Sequence, residues 1–182
     1  MLVEKVTQHK YIVHNIKHNL GLTQMAQVSN SHNQDTMEQL VLENQVCFAL
    51  YNATNTMIRA YRPLLETLNL TYPQYLVMLV LWNNNGINVK NLGKQLHLDS
   101  GTLTPLLKRL EAKGIIVRKR NKIDERSRDM YLTKDGAALK AKAEKIPESL
   151  FCKTGLAKEE AMLLKSICEH ATRNLKSQEI KE

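Results

Sequence analysis

The sequence predicts a mainly helical chain with a small β-hairpin wing, arranged as a winged helix-turn-helix. Aromatic residues make up only 5% of the 182 residues, and aliphatic side chains carry most of the hydrophobicity, which favours helices. Two short amphipathic segments are joined by a brief turn at His97 and Leu98, as in a helix-turn-helix. A β-branched segment and a charged turn follow directly, which is the layout of a wing.

Composition and charge narrow the classes of protein to consider. The net charge is +8, which suits a polyanionic partner. No apolar run is long enough to span a membrane, and no apolar leader precedes a cleavage site, so we expect a cytoplasmic chain without a membrane partner. The three cysteines, Cys47, Cys152 and Cys168, form no CxxC pair, which argues against a zinc site. We expect neither a metal nor a cofactor.

Residues 1–36 form a polar N-terminal extension rich in Gln, Asn and His. His14 and His18 are spaced as neighbours on one helical face, and His9 precedes them, but no acidic or thiol ligand accompanies them. We therefore predict a loosely ordered extension and not a metal site.

Residues 37–72 and 134–180 are predicted to be dimerisation helices. The first begins at a capping box formed by Thr36 and Gln39 and runs to about Asn69, with Pro63 ending or bending it. At the other end, one helix runs toward Pro147, and an amphipathic helix spans about 157–177. The apolar surface of these helices is larger than one small winged domain needs to bury. We therefore expect them to pack against a second copy in a two-fold homodimer.

Residues 73–133 are predicted to form the DNA-binding region. An apolar helix at 74–82 is followed by a short helix at 89–96 and a second short helix that Asp99 or Ser100 caps. In this second helix Leu103, Leu106, Leu107 and Leu110 face inward. Its outer face therefore carries side chains of the types that contact phosphates and base edges, namely Ser100, Thr102, Thr104, Lys108 and Arg109.

The wing is predicted from a strand at 115–120, a turn at 121–127 and a returning strand at 129–132. A run of charge by itself is usually a solvated surface. Here it directly follows the helix with the polar outer face, which favours contact with DNA. We expect Arg126 at the wing tip to enter the minor groove, held by a charge-assisted hydrogen bond that it donates to Asp124. The basic residues expected to flank the phosphate backbone are Lys113, Arg118, Lys119 and Arg120.

Cys47 lies in the first long helix on one stripe with Tyr51 and Tyr61, and Tyr72 follows after the helix. Tyrosine hydroxyls can donate hydrogen bonds to a thiolate, which is the form of cysteine that attacks a peroxide. The residues alone leave two alternatives open: a reactive thiol, or a small apolar side chain packed in the core.

Four segments of the sequence carry a resemblance to a known family. They are LENQVCFALY, LNLTYPQYLVMLVLW, LDSGTLTPLLKRLEAKG and the wing motif DERS, and they occur in collinear order. Together they resemble the organic-hydroperoxide-sensing (OhrR-type) repressors of the MarR family. The resemblance covers about residues 38–175 and leaves the N-terminal extension outside it.

This resemblance implies a MarR-type two-fold dimer that binds operator DNA when reduced and releases it when oxidised by organic hydroperoxides. It implies that Cys47 is the peroxide-reactive cysteine and that Tyr51, Tyr61 and Tyr72 hydrogen-bond around it. The segment IPESLFC places Cys152 where the two-cysteine members carry their second cysteine. A disulfide between Cys47 and Cys152 of the partner subunit is therefore implied.

Two rival functions remain open. A MarR-type repressor released by a small aromatic ligand would leave Cys47 with a structural role. A thiol peroxidase would use Cys47 for turnover, but it would leave the basic wing unexplained, so we predict that the chain is not an enzyme.

Overall fold

The computed structural model describes residues 40–120 and 127–179. The chain divides into two compact units, Met1–Tyr51 and Asn52–Glu182. In the first unit, the described residues form a 3-10 helix at Leu42–Asn44 and the beginning of helix α1 (Val46–Glu66). Apolar side chains in this stretch, Leu40 and Val46 among them, are exposed.

The second unit contains the rest of α1 and nine further elements. In chain order these are α2 (Tyr72–Asn83), β1 (Ile87–Asn88), α3 (Val89–Leu96), α4 (Ser100–Ala112), β2 (Ile116–Arg120), β3 (Arg128–Leu132), α5 (Lys134–Ala143), α6 (Ile146–Thr154) and α7 (Lys158–Glu179). The predicted fold class, mainly helical with a small hairpin, is confirmed.

The sheet has three antiparallel strands in the order β1-β3-β2. The predicted hairpin pairs β2 with β3, from Ile116 opposite Leu132 to Arg120 opposite Arg128. The two-residue strand β1 was not predicted, and it pairs Ile87 with Met130 on the other edge of β3. A strand of two residues has no hydrophobic alternation, so the sequence pattern gives no signal for it.

The core of the second unit lies between the sheet and helices α2, α3 and α4. Because each helix of the helix-turn-helix is amphipathic, one face is buried while the other stays free for a partner. The side chains buried most completely are Leu65, Tyr75, Val77, Met78, Leu81, Leu92, Leu103, Leu107, Leu110, Ile116 and Met130.

Side-chain caps fix where the helices of the winged domain begin. The side chain of Asn88 accepts from the N–H of Asn91 at 2.8 Å, and the carboxylate of Asp99 accepts from the N–H of Thr102 at 2.8 Å. These bonds satisfy backbone donors that have no partner within the helix. Hydrogen bonds from Thr102 also lower the pKa of Asp99. Asp99 is therefore the cap of α4, one of the two predicted possibilities.

Three predicted boundaries differ from the structure. The first helix does not run unbroken into the Cys47 region, because the backbone of Gln45 is extended and α1 begins at Val46. The capping box at Thr36 lies outside the described residues. Of the two effects predicted for Pro63, ending the helix is wrong, because its fixed φ fits a helix and α1 continues to Glu66. A bend at Pro63 stays a prediction. The helix toward Pro147 is divided, because α5 ends at Ala143 and Pro147 lies in the first turn of α6.

Within residues 40–120 and 127–179, no helix is long and apolar enough to cross a membrane. The same residues contain no cluster of three or more His, Cys, Asp or Glu side chains able to hold a metal ion. His9, His14 and His18 lie outside the described residues.

Candidate functional site

A tight turn between α3 and α4 positions the helix with the polar outer face. His97 adopts a left-handed conformation with φ 53°, and the N–H of Leu98 donates to the carbonyl of Gly93 at 3.0 Å. A Cβ at Gly93 would lie 2.9 Å from the carbonyl oxygen of Leu98, so the close approach of the two backbones requires glycine. The turn therefore holds α4 across α3 with its polar face outward.

The outer face of α4 carries the predicted side chains in three different states. Ser100, Lys108 and Arg109 are exposed, as contact with DNA requires. The hydroxyl of Thr102 donates to the carboxylate of Asp99 at 3.1 Å, so it helps to cap the helix. Thr104 is half-buried. Exposed charge on α4 therefore comes from Lys108 and Arg109.

In the wing, Arg118 contacts the protein itself. Its Nε lies 3.1 Å from a carboxylate oxygen of Glu111, and its backbone N–H donates to the other oxygen at 3.2 Å. This pair links the last turn of α4 to β2 and leaves Arg118 half-buried. Arg120 is exposed at the end of β2. The predicted residues Asp124 and Arg126 lie outside the described residues.

Two other lysines that were expected at the phosphate backbone make contacts within the protein. The ammonium of Lys119 lies 5.0 Å from the ring centroid of Tyr131, a cation–π distance. The ammonium of Lys113 donates to the side-chain oxygen of Gln74 at 3.0 Å and to the backbone carbonyl of Asn69. Lys113 was expected to flank the phosphate backbone, but its charge is directed toward the start of α2.

An open groove of about 970 Å³ lies between α3, α4 and the hairpin. Leu103 and Leu107 line its apolar side. Its basic residues include several that sequence reasoning did not assign to DNA contact, namely Lys90, Lys94, Arg128 and Lys176. The i, i+4 spacing of Lys90 and Lys94 on one face of α3 was the available signal. The groove brings positive charge from four elements to one side of α4, which favours a phosphate-rich partner.

Cys47 is exposed, and it is the second residue of α1. It therefore does not pack in the core of the single described chain, and its role stays a prediction. Tyr51 is also exposed, one turn later on the same helix. Cys152 in α6 is exposed as well, while Cys168 in α7 is half-buried.

Tyr61, Tyr72 and Tyr75 form a cluster where α1 meets α2. The ring centroids of Tyr61 and Tyr72 are 4.9 Å apart, and those of Tyr61 and Tyr75 are 5.9 Å apart. Burial raises the pKa of all three phenols, so each hydroxyl remains protonated and able to donate a hydrogen bond at neutral pH. The hydroxyl of Tyr75 is buried and has no hydrogen-bond partner among the described residues.

Comparison with known proteins identifies the family. The organic hydroperoxide resistance transcriptional regulator of Bacillus subtilis is 49% identical over 134 residues, which are 74% of this chain and 89% of that regulator. The chain belongs to the MarR family of transcriptional regulators, in its organic hydroperoxide resistance (OhrR) subgroup. A family model described as transcriptional regulator SarA/Rot also matches residues 59–143 of this OhrR-type chain.

Solved structures agree with the MarR-family assignment. Reduced AbfR bound to DNA has a TM-score of 0.63 and 32% identity, over 76% of this chain and 98% of AbfR. The disulfide form of AbfR has a TM-score of 0.53 and 34% identity, over 82% of this chain and 99% of AbfR. AbfR comes from Staphylococcus epidermidis. The chain is a DNA-binding transcriptional regulator of the winged-helix MarR type, and its relatives are regulators and not enzymes.

Proposed function

We propose that the protein is a redox-sensing repressor that binds operator DNA when Cys47 is reduced and releases it when an organic hydroperoxide oxidises Cys47. The observation that carries this proposal is the exposed position of Cys47 in the first turn of α1. A peroxide can reach the sulfur there, and the thiolate form of a cysteine is the one that attacks it. The B. subtilis relative is named for organic hydroperoxide resistance, which agrees with this chemistry.

The tyrosines contribute hydrogen-bond donors. Tyr51 lies one turn from Cys47, and we propose that Tyr61 and Tyr72 approach Cys47 in the assembled dimer. Because the pKa values of Tyr61 and Tyr72 are raised by burial, both hydroxyls remain protonated at neutral pH. Protonated phenols can donate to a thiolate and to the oxygen of the sulfenic acid that replaces it.

The oxidation that we propose consumes one hydroperoxide and two thiols. The Cys47 thiol first loses its proton, and the thiolate attacks the outer peroxide oxygen. The O–O bond breaks, sulfenic acid forms on sulfur, and the departing alkoxide takes up the released proton to become an alcohol. The thiol of Cys152 of the partner subunit then attacks the sulfenic sulfur, a disulfide forms, and water leaves. The peroxide gains two electrons, which come from the two sulfur atoms. Exposure of both cysteines is consistent with this exchange.

A homodimer completes the proposal. Apolar side chains on α1 and α7, including Met57, Met162 and Ile167, are exposed in the single chain. Exposed apolar faces on long helices are typical of an interface, and two recognition helices related by a two-fold axis match two operator half-sites. We infer that residues 37–72 and 134–180 form the dimer, and that residues 73–133 bind DNA. We propose DNA contacts by Ser100, Thr102, Thr104, Lys108, Arg109, Arg118, Arg120, Asp124 and Arg126.

The proposal is tested with a DNA duplex that the reduced protein selects from a random-sequence library. One equivalent of cumene hydroperoxide is expected to release the wild-type protein from this duplex. It is also expected to give a dimer band on non-reducing electrophoresis. Cys47→Ser is expected to stay bound to the duplex after the same treatment. Neither Cys47→Ser nor Cys152→Ser is expected to give the dimer band. Cys168→Ser is the matched control and is expected to behave like the wild type.

Two results would contradict the proposal. Release of the Cys47→Ser protein by peroxide would mean that another group senses the oxidant. A dimer band from Cys152→Ser would mean that the disulfide forms elsewhere, with Cys168 as the remaining thiol for that variant.

A second candidate function is release by a small aromatic ligand, with Cys47 structural. An apolar groove of about 500 Å³ between α2 and α5 favours it, lined by Tyr75, Leu79, Trp82 and Ala138 among others. The buried hydroxyl of Tyr75 has no partner in the described part of the chain, so a ligand that displaced its neighbours would find a free donor. Release of the Cys47→Ser protein by salicylate, with no response to peroxide in the wild type, would favour this function.

A further inference from the structure

We propose that Lys113 is a positioning residue of the redox response, which ties the tyrosine-bearing start of α2 to the end of the recognition helix α4. This inference rests on the proposed function, because it concerns how a change near the tyrosines reaches the DNA-binding surface. It assigns to Lys113 a role that differs from contact with phosphate.

The contacts of Lys113 join three elements at one point. Its ammonium donates to the side-chain oxygen of Gln74 at 3.0 Å and to the backbone carbonyl of Asn69. The same oxygen of Gln74 accepts from the backbone N–H of Thr71 at 3.1 Å. Gln74 is only 2% exposed, so the two bonds to its side-chain oxygen are partly shielded from water. The ends of α1 and α4 and the start of α2 therefore meet at one charge-assisted cluster.

In this position the ammonium of Lys113 loses part of its solvation. Burial lowers the pKa of its ammonium, which means that the charged form has lost part of its contact with water. A charge-assisted hydrogen bond is stronger than a neutral one, and breaking it leaves the buried side-chain oxygen of Gln74 without this donor. The link from α4 to the α1–α2 junction is therefore one that moves as a unit.

On the sensor side, Gln74 lies between two residues of the tyrosine cluster. Tyr72 and Tyr75 flank it in the first turns of α2, and Tyr61 packs against both rings. Asn69, the other acceptor, forms the left-handed residue that follows α1, with φ 53°. A rearrangement of Tyr61 or Tyr72 on oxidation would therefore displace the two acceptors of Lys113.

On the DNA side, the last turn of α4 is fixed at two further points. Leu110 is completely buried, and Glu111 holds Arg118 of β2 through its backbone N–H and its Nε. Because α4 is a continuous helix, a displacement of Lys113 moves its outer face and the wing together. Closely packed elements transmit such displacements, since packed interiors do not deform continuously.

The test compares operator affinity before and after oxidation in Lys113→Met, which keeps most of the aliphatic side chain and removes the ammonium. The measured quantity is the ratio of oxidised to reduced Kd, with cumene hydroperoxide as oxidant. We expect this ratio to fall by at least about fivefold relative to the wild type. The rate of Cys47 oxidation, followed by sulfenic acid trapping, is expected to be unchanged. Lys142→Met, at an exposed lysine of α5, is the matched control and is expected to keep the wild-type ratio.

A second variant separates this role from a merely structural one. Gln74→Met removes the same bond from the other side, and it also serves if Lys113→Met does not fold. The double variant is expected to lower the ratio no further than either single variant, and Lys113→Arg is expected to restore most of it. If the variants weaken both redox states by the same factor, the ratio is unchanged and the inference is wrong. If the wild type itself shows no response to peroxide, the proposed function fails instead.

Discussion

Individual charged side chains differ in what they contact, and Lys108 is one that remains free for DNA. It is exposed on the outer face of α4, whereas Arg118 is held by Glu111. A lysine that neutralises one phosphate releases about one counterion on binding. We expect Lys108→Ala to weaken binding to all DNA sequences alike and to lower the slope of log Kd against log salt by about 1. Titration of labelled duplex at several salt concentrations measures both quantities.

The control for Lys108 is an exposed lysine outside the winged domain. Lys142→Ala removes the same charge from α5 and is expected to leave the salt slope unchanged. An unchanged slope for Lys108→Ala would show that this side chain makes no phosphate contact. A slope that falls equally in both variants would indicate an effect of net charge alone.

The contacts of the charged residues follow from the sequence only in part. The outer positions of α4 follow from helical periodicity, and Ser100, Lys108 and Arg109 are exposed as predicted. The bond from Lys113 to Gln74 joins residues 39 positions apart, and the fold decides it, so no local spacing reveals it. Local spacing does not reveal the exposure of Cys47 either. The extended backbone at Gln45 sets where α1 begins, and the fold decides that position.

At the scale of elements, the docking of α5 against the end of the α4–β2 connection depends on Gly136. A Cβ built at Gly136 overlaps the backbone carbonyl oxygen of Ile115 and lies 2.9 Å from its carbonyl carbon. The same carbonyl accepts from the N–H of Thr133 at 3.1 Å, so neither backbone can move without losing that bond. We expect Gly136→Ala to lower the free energy of unfolding by about 3 kcal/mol. Urea denaturation followed by circular dichroism measures it.

Helix propensity makes the opposite prediction for this substitution. Alanine is favoured over glycine in a helix by up to about 1 kcal/mol, so Gly136→Ala would stabilise α5 if no steric conflict existed. The reverse change at an exposed position of the same helix, Ala138→Gly, is the control and is expected to destabilise by about that amount. The sign of the effect at Gly136 therefore decides between propensity and packing.

Helices and strands that have clear capping or periodicity signals in the sequence were predicted well, and boundaries without such signals were missed. The bounds of α3, Val89–Leu96, match the prediction because Asn88 caps the helix and its apolar residues keep one face. The hairpin follows from a β-branched run after Gly114, which has the positive φ of a helix stop. The break between α5 and α6 was missed, since no glycine marks it and Pro147 lies after the break, within the first turn of α6.

At the scale of the whole molecule, the single chain leaves its longest helix faces uncovered. In the described part of α1 only Leu65 is fully buried, and α7 has no fully buried residue within its described positions. Ile167, near the middle of α7, is 53% exposed, and Met162, Leu164 and Leu175 on the same helix are also exposed. Apolar surface of this extent is stabilised when a partner removes it from water, at about 25 cal/mol per Å².

We therefore expect Ile167→Glu to convert a dimer into a monomer, because the new carboxylate would be buried without a partner in the interface. A monomer engages one half-site and loses the second recognition helix, so its operator affinity should fall by at least about a hundredfold. Sedimentation equilibrium at micromolar concentrations measures the first effect, and titration of labelled operator measures the second. Arg173→Gln changes the net charge by the same amount at an exposed position of α7 and is expected to remain dimeric. A wild-type protein that sediments as a monomer would contradict the dimer, and a dimeric Ile167→Glu would exclude this face of α7 from the interface.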